Sequence, residues 1–494
     1  MRWSGPRRRR GASVPRAALV CASIAFANAL AWAVITPIFW VPDEGVQAGY
    51  AQHLAETGDL PNPTPGDDPR IGQGLAGEQG AVFSGLPWSI EGRPSWNPEN
   101  DRRLRRELES GRLSRSRPGQ ALYVDVHPPL YYLLEAIPYR LTYEATFLDR
   151  MMAMRALSAL LGGLTVFFVF LFLREALPRT PWVWTVGALV VAFQPVLGFM
   201  AGGVNNDVLA YAASAGIFYG IARAFRRGLD TRTAVLIGAA TAAGLLAKAN
   251  VMGLLPGTLL ALGALVWRLP GDERRRGLLN AGAAVATIAV PWIAWIAVRK
   301  HALGDAPAPA AGLASRSVSE GASQLREQAS YIWQALLPRL PFMDDQIPWY
   351  IPWETFFKGF IGRFGWFEYG FATAWYGVAL GIFTALAGLA ARELHRCRRA
   401  LRGRGLEALS YATMAAGLVV ALEVISYRYH EDRGVFFEQT RYLFPLLALY
   451  AVFVALAVRG AGRRWAPAVG GFLVVLAMGH SLFSQLLTIS RFYS

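Results

Sequence analysis

The sequence predicts an all-α polytopic membrane protein with about eleven transmembrane helices, and three observations carry that reading. The 494 residues are 54% hydrophobic and only 17% charged, whereas soluble domains run at about 25% charged. Charge-free windows recur along the whole chain, at 17–42, 156–173, 180–206, 208–222, 233–247, 249–267, 277–298, 369–391, 408–422, 442–458 and 465–490. Basic residues collect between alternate windows. With the N-terminus in the cytoplasm, pieces 1–16, 174–181, 223–232, 268–276, 392–407 and 459–464 hold 25 of the 49 Lys and Arg but 6 of the 34 acids. The balance is then +19 inside and −4 outside, so the overall charge of +15 is a topology signal and not the mark of a polyanion-binding protein.

Each element follows in order. The first window is preceded by Arg7–Arg10 and ends in Phe39-Trp40-Val41-Pro42 without a small-residue cleavage site, which reads as a retained signal anchor. Pro42 ends or kinks that helix. Gly45–Leu54 then carries Val46, Tyr50 and Leu54 at helical spacing, fit to lie flat on the membrane surface. Two large external regions are expected, 39–155 and 299–368. In the first, 61–98 is loop by its Pro, Asn and Gly content, and Arg102–Arg117 is a mixed-charge helical or solvated stretch. Segment 127–141 is short and only moderately apolar; a crossing there would move every later basic loop outside, so it reads as interfacial or re-entrant. The second external region opens with Ala/Pro-rich 306–311 and continues through an aromatic stretch from Tyr331 to Tyr369. Residues 1–458 are expected to form the main membrane domain, with the external regions 39–155 and 299–368, and 459–494 the last cytoplasmic loop, the final span and a short external C-terminus.

The polar residues collect on the external side. Asp43 and Glu44 follow the first span directly; a carboxylate there suits a general base, and equally a helix cap. Asp207, in Gly202-Gly203-Val204-Asn205-Asn206-Asp207, brings another acid to the same face, again as a functional group or an ordinary turn. Asp125 and His127 precede a Pro-Pro step, Arg155 opens the second span, and Lys248 and Asn250 lie between the fifth and sixth. Arg441 and Tyr442 open the tenth, within Phe437-Glu438-Gln439-Thr440-Arg441-Tyr442, and Asp344 and Asp345 lie in the second external region. Cations at such positions either snorkel to headgroups or hold a lipid phosphate. Glu423, just inside the ninth span, has Arg428 within reach as a partner, and His480 in the last span reads as an interhelical polar contact. Cys21 and Cys397 alone exclude a disulfide framework and a cysteine-only metal site. No dinucleotide, Walker or zincin motif is present, and the cytoplasmic loops are too short for a nucleotide domain. No internal repeat is evident.

Pro42-Asp43-Glu44, His127-Pro-Pro-Leu-Tyr-Tyr with Arg155-Ala-Leu-Ser-Ala-Leu-Leu-Gly-Gly-Leu, Asn205-Asn206-Asp207 and Lys248 together resemble the C-type (GT-C) polytopic membrane glycosyltransferase superfamily. Gly203-Val204-Asn205-Asn206-Asp207, Phe360-Ile361-Gly362-Arg363-Phe364-Gly365-Trp366-Phe367 and Thr440-Arg441-Tyr442-Leu443-Phe444-Pro445-Leu446-Leu447 are similar to a bacterial domain-of-unknown-function membrane family within it. The likeness runs from about 17 to 458. It implies an inverting transferase of the bacterial plasma membrane, moving a sugar from a polyprenyl-phosphate donor to an envelope glycan or glycolipid on the extracytoplasmic face. Asp43 is then the base with Glu44 beside it and Asp207 as a further catalytic acid. Arg441, Lys248 and Arg155 neutralise the donor phosphate, and His127, Asn206, Asp125, Tyr442, Arg363 and Trp366 contact substrate. No cofactor is required by the likeness, but a divalent cation on Asp43, Asp207 and Asp344 stays open. Membrane lipids are the other expected partner, and nucleic acid is not. A flippase of lipid-linked saccharides and a polymerase or ligase with a diphosphate-linked donor are the alternatives.

Overall fold

A computed structural model describes residues 14–61, 127–303, 322–348, 352–434, 436 and 438–493, with isolated residues 99, 102 and 106. Asp125, all but the first residue of the loop 61–98, nearly all of 102–117 and the Ala/Pro stretch 306–311 lie outside the described residues.

The described residues are helical almost throughout, as expected. Its elements are α1 (Arg16–Ile35), α2 (Glu44–Thr57), α3 (Leu130–Leu141), α4 (Phe147–Ala176), α5 (Pro181–Ala192), α6 (Pro195–Ala201), α7 (Asp207–Arg227), α8 (Thr231–Leu245), α9 (Leu255–Trp267), α10 (Gly271–Leu303), α11 (Ala322–Gln334), α12 (Thr373–Arg402), α13 (Gly405–Arg433), α14 (Leu447–Gly460) and α15 (Gly462–Tyr493). Short 3-10 turns, Ala249–Leu254 and Thr440–Leu446, precede α9 and α14. The strands found among the described residues are the two-residue pair β1 (Arg363–Phe364) and β2 (Tyr369–Gly370), antiparallel with Arg363 opposite Gly370.

Among the described residues nine helices are long and apolar enough to cross a membrane, or ten when α5 and α6, bent by 61°, count as one broken span. The expected eleven is therefore not reached by length. The remaining window, 233–247, is α8, whose 15 residues fall short of the roughly 20 a span needs. The break between α5 and α6 is built by Gln194, which caps α6 by accepting from Leu197 N at 2.7 Å and donates to Phe360 O at 2.8 Å.

α4 and α7 form the centre, packed on each other and on α1 and α8. The apolar window of α7 is 89% buried, that of α12 only 11% and that of α10 17%, so the last two present the outer apolar surface. The basic connections meet at one end of the bundle. There Glu175 pairs with Arg227 and with Arg226 (3.5 Å), Arg404 donates to Ala176 O at 2.7 Å, and Arg268 lies 3.5 Å from Gly403 O. The C-terminus of α1, the N-terminus of α7, Lys248 and the turn before α14 meet at the other.

One expectation about the surface elements is changed by packing. α2 does not lie flat on an interface: Glu44 to Gln52, Leu54 and Ala55 are all buried or nearly so on every face, because α3 covers the helix. α3 is the amphipathic one. It turns Tyr131, Tyr132, Glu135 and Tyr139 inward and leaves Leu133, Ile137 and Leu141 exposed, the pattern of an interfacial helix.

Candidate active site

The site is assembled around the chain reversal at 36–43. Arg155, fully buried on α4, donates to Ala33 O and Thr36 O at 2.7 Å and to Pro37 O at 3.0 Å, at the C-terminal end of α1. Its Nε and Nη2 also hold both oxygens of Glu44, at 2.7 and 2.6 Å. Glu44 accepts two further bonds, from Phe39 N at 2.7 Å and Val204 N at 3.0 Å. A cation thus closes one helix end and an acid the start of the next, as the helix dipoles favour. This geometry corrects two sequence expectations. The guanidinium of Arg155 is fully engaged by protein groups and has no free edge for a donor phosphate. Glu44 is buried with its acceptor capacity filled, a place that positions the loop and leaves no open carboxylate oxygen.

Asp43 differs from its neighbour. It adopts φ 65° and ψ 5°, a left-handed conformation uncommon outside glycine. It stands at the N-cap position of α2, yet its side chain makes no capping bond. Instead Arg441 Nη2 donates to Asp43 Oδ2 at 2.7 Å. The helix-cap reading of Asp43 is thereby removed by geometry. Backbone strain of this kind persists only where the surroundings impose it and often marks functional groups.

Asp207 joins from the start of α7. Lys248 Nζ donates to its Oδ1 at 2.6 Å, and Arg441 Nη1 lies 3.7 Å from its Oδ2. Asp43, Arg441, Asp207 and Lys248 therefore form one continuous line of alternating charge, contributed by four separate parts of the chain. Gly203 makes this approach possible, since a Cβ there would collide with the Val41 side chain. Asn205 fastens the same contact by donating to Pro42 O at 2.8 Å and accepting from Asp207 N at 2.9 Å.

Arg441 is the centre of the line. It is 4% exposed, yet its Nε and Nη1 have no hydrogen-bond partner, and Asp207 Oδ2 has none either. A buried guanidinium with two unmatched donors is rare and costly. Nη2 also donates to the Tyr442 hydroxyl at 3.1 Å, and the guanidinium stacks over Tyr442 (5.0 Å) and Trp366 (5.8 Å). Lys248 Nζ lies 4.6 Å from the Tyr442 ring centre. Tyr211, one turn into α7, donates to Arg441 O at 3.0 Å and so fixes the turn that carries the guanidinium.

Burial lowers the pKa of Lys248, with Arg441 adding to that effect and Asp207 opposing it. His127 is held neutral: burial first, then Lys248, brings its imidazole down to about 3 against the pull of Asp43. The structure therefore places His127 in the field of the charge line as an uncharged group. Asn206 has a scaffolding position, which corrects its assignment to substrate. Its amide donates to Ala247 O at 3.0 Å and Tyr132 Oη at 3.3 Å and accepts from Gln47 Nε2 at 3.3 Å. Trp366 stands at the site with its indole 36% exposed. Arg363, three residues earlier, pairs with Glu354 at 2.8 Å, so its charge is used within the aromatic segment and not at the line. The sequence did not single out Gln47 or Tyr211, and gave Tyr50 and Tyr132 no individual role at the site. Gln47 and Tyr132 are joined by a 2.9 Å bond, and Tyr132 stacks on Tyr50 at 3.9 Å. The i, i+4 spacing of Asp43 with Gln47 and of Asp207 with Tyr211 was the only available signal.

The oxygen-ligand set for a divalent cation is not assembled. Asp43 and Asp207 are each neutralised by a side-chain cation, while Asp344 is exposed at the end of α11, where Gln334 binds its carbonyl at 2.7 Å. Among the described residues no three His, Cys, Asp or Glu side chains group as metal ligands. The donor set fits an anion better than a metal ion.

Helices of spanning length around a polar charge line at one end define a multi-pass membrane protein with an anion-compatible site. The chain belongs to the DUF2142 family of predicted membrane proteins, whose model matches residues 26–450. No curated protein matches the sequence. Among solved structures it is similar to the oligosaccharyltransferase AglB of Archaeoglobus fulgidus in complex with an inhibitory peptide and a dolichol-phosphate. The identity there is 14% and the TM-score 0.44, over 95% of this chain and 56% of that one. The same organism's oligosaccharyltransferase tethered to an acceptor peptide containing the NVT sequon gives 12%, 0.42, 96% and 55%. The chain thus spans little more than half the length of these structures.

Proposed function

We propose that the protein is an inverting glycosyltransferase of the GT-C type, taking a sugar from a polyprenyl-phosphate donor and delivering it to a hydroxyl of an envelope glycan or glycolipid. The observation that carries the reading is Arg441: a buried guanidinium, already shared between Asp43 and Asp207, with two donors unmatched. A phosphate oxygen arriving there meets an unmatched charged donor at Nε or Nη1, with Lys248 beside it.

Asp43 and the donor phosphate compete for the same cation. As the phosphate draws Arg441 away, the Asp43 carboxylate is left without its counter-charge and becomes a stronger base. It takes the proton of the acceptor hydroxyl while that oxygen bonds to the anomeric carbon from the face opposite the phosphate. The carbon–oxygen bond to phosphate breaks, its electron pair stays on the phosphate oxygen, and Arg441 and Lys248 stabilise the charge that develops. Asp207 holds the two cations in place. Trp366 and Tyr442 offer aromatic faces to a sugar ring, and neutral His127 a hydrogen-bonding edge.

The charge line lies at the end of the bundle opposite the Arg-rich connections. By the positive-inside rule that end is extracytoplasmic, which suits a bacterial plasma-membrane enzyme with its N-terminus inside and C-terminus outside. Arg441→Ala should weaken binding of polyprenyl phosphate by about tenfold or more, given the worth of charged hydrogen bonds, with Arg441→Lys recovering part of it. Unchanged binding in Arg441→Ala would end the assignment.

A further inference from the structure

A second polar cluster lies beside the charge line, where α11 crosses the end of α13. Glu423 on α13 is completely buried, and neither of its carboxylate oxygens accepts a hydrogen bond. The expected pairing with Arg428 is therefore not made. Glu438, three residues before Arg441, is 4% exposed; its Oε1 accepts from the Tyr331 hydroxyl at 2.6 Å, while Oε2 has no partner. The two carboxylates are near enough to repel each other. Ser426 lies 3.4 Å from the Tyr331 hydroxyl, and His430 Nδ1 is also without a partner. Aromatic rings flank the group: His430 stacks on Phe436 at 4.5 Å and lies 6.1 Å from Tyr331, and Phe436 is 38% exposed.

Two nearly inaccessible carboxylates with three unmatched oxygens are costly unless something donates to them. A metal ion is a poor candidate, because Glu423, Glu438 and His430 do not group closely enough to ligate one ion. The demand is for several hydrogen-bond donors on a body with an apolar face.

We propose that the Glu423, Glu438, Tyr331 and His430 cluster is a saccharide-binding site that receives the hydroxyl-rich acceptor. Sugar hydroxyls supply the donors the carboxylates lack, and the ring's C–H face packs on Phe436 and His430. The site rests on the transferase reading above and deepens it. Glu438 and Arg441 lie on one short segment, so a glycan held by the first is brought to a donor held by the second. Tyr331 contributes from the second external region, which gives that region a role in acceptor choice.

The test uses the full chain in lipid nanodiscs, screened against an array of bacterial envelope oligosaccharides, with the strongest binder then titrated. Glu423→Gln, Glu438→Gln and Tyr331→Phe should each weaken that binding about tenfold or more, because each removes a carboxyl partner of the sugar hydroxyls or the bond that orients it. Arg441→Ala should leave it unchanged while losing polyprenyl-phosphate binding in the same samples. Glu423→Gln should melt at the same or a higher temperature, since it removes a buried carboxyl that no protein group satisfies. Failure of every oligosaccharide to bind, binding by the three variants as tight as by the unchanged chain, or binding of methylammonium or Na⁺ alone would overturn the saccharide site. Loss or retention of polyprenyl-phosphate binding in Arg441→Ala reports separately on the donor site.

Discussion

Asp43 and Glu44 are adjacent in sequence and sit in opposite surroundings, as their side-chain partners show. Glu44 accepts four bonds from Arg155, Phe39 N and Val204 N and is 1% exposed. Breaking one side of such a buried pair costs about 3–5 kcal/mol. Glu44→Gln and Arg155→Lys should therefore lower thermal stability sharply, and any lost turnover should track unfolded protein. A normal melting temperature in both variants would remove the positioning role. Sequence reading paired the two acids as one catalytic unit because spacing alone cannot distinguish a sealed carboxylate from an open one. It located Asp43, Asp207, Lys248 and Arg441, all charged residues at span ends. It assigned Arg155 and Asn206 to substrate because a saturated guanidinium and a free one look alike in sequence. His127 adds a pH signature. Its pKa is near 6.5 when unfolded and about 3 when folded. Between those values the unfolded chain binds more protons, so stability rises with pH through that window and is flat above it. His127→Gln should remove this part of the acid sensitivity in urea titrations at pH 4 and pH 7.

At the level of elements, the site depends on close contact between the 36–43 reversal and the turn before α7. Gly203 has no room for a Cβ against Val41, and Gly202 would place one 2.7 Å from Ala33 N. Gly203→Ala should destabilise by roughly 1–3 kcal/mol, the usual cost of overpacking, and move Asp43 away from Arg441. Val41→Ala should recover part of the loss in the double variant, and simple additivity would argue against the contact. Helix positions were legible because charge-free windows mark them, and α8 is helical as window 233–247 suggested. Its length was the weaker inference. The burial of α2 could not be read, since its apolar spacing of Val46, Tyr50 and Leu54 is equally that of a surface helix. Only the covering by α3 distinguishes the two.

On the scale of the whole molecule, the basic connections and the charge line occupy opposite ends, which turns a charge count into a testable orientation. In a Cys397→Ser background, Asp345→Cys should react with an impermeant thiol reagent added to intact cells, and Arg402→Cys should react only after permeabilisation. The reverse pattern would place the charge line in the cytoplasm, where no polyprenyl-linked donor chemistry of this kind is expected. The central claim is that Asp43 removes the acceptor proton while Arg441 holds the donor phosphate, and Asp43→Asn tests it most directly. That variant keeps the shape of the side chain but cannot serve as the base, and it frees Arg441 from its competitor. Transfer of labelled sugar from a membrane-extracted polyprenyl-phosphate donor should fall about 10²–10⁴-fold, while polyprenyl-phosphate binding stays equal or tightens. Near-normal transfer by a folded Asp43→Asn protein would contradict the account.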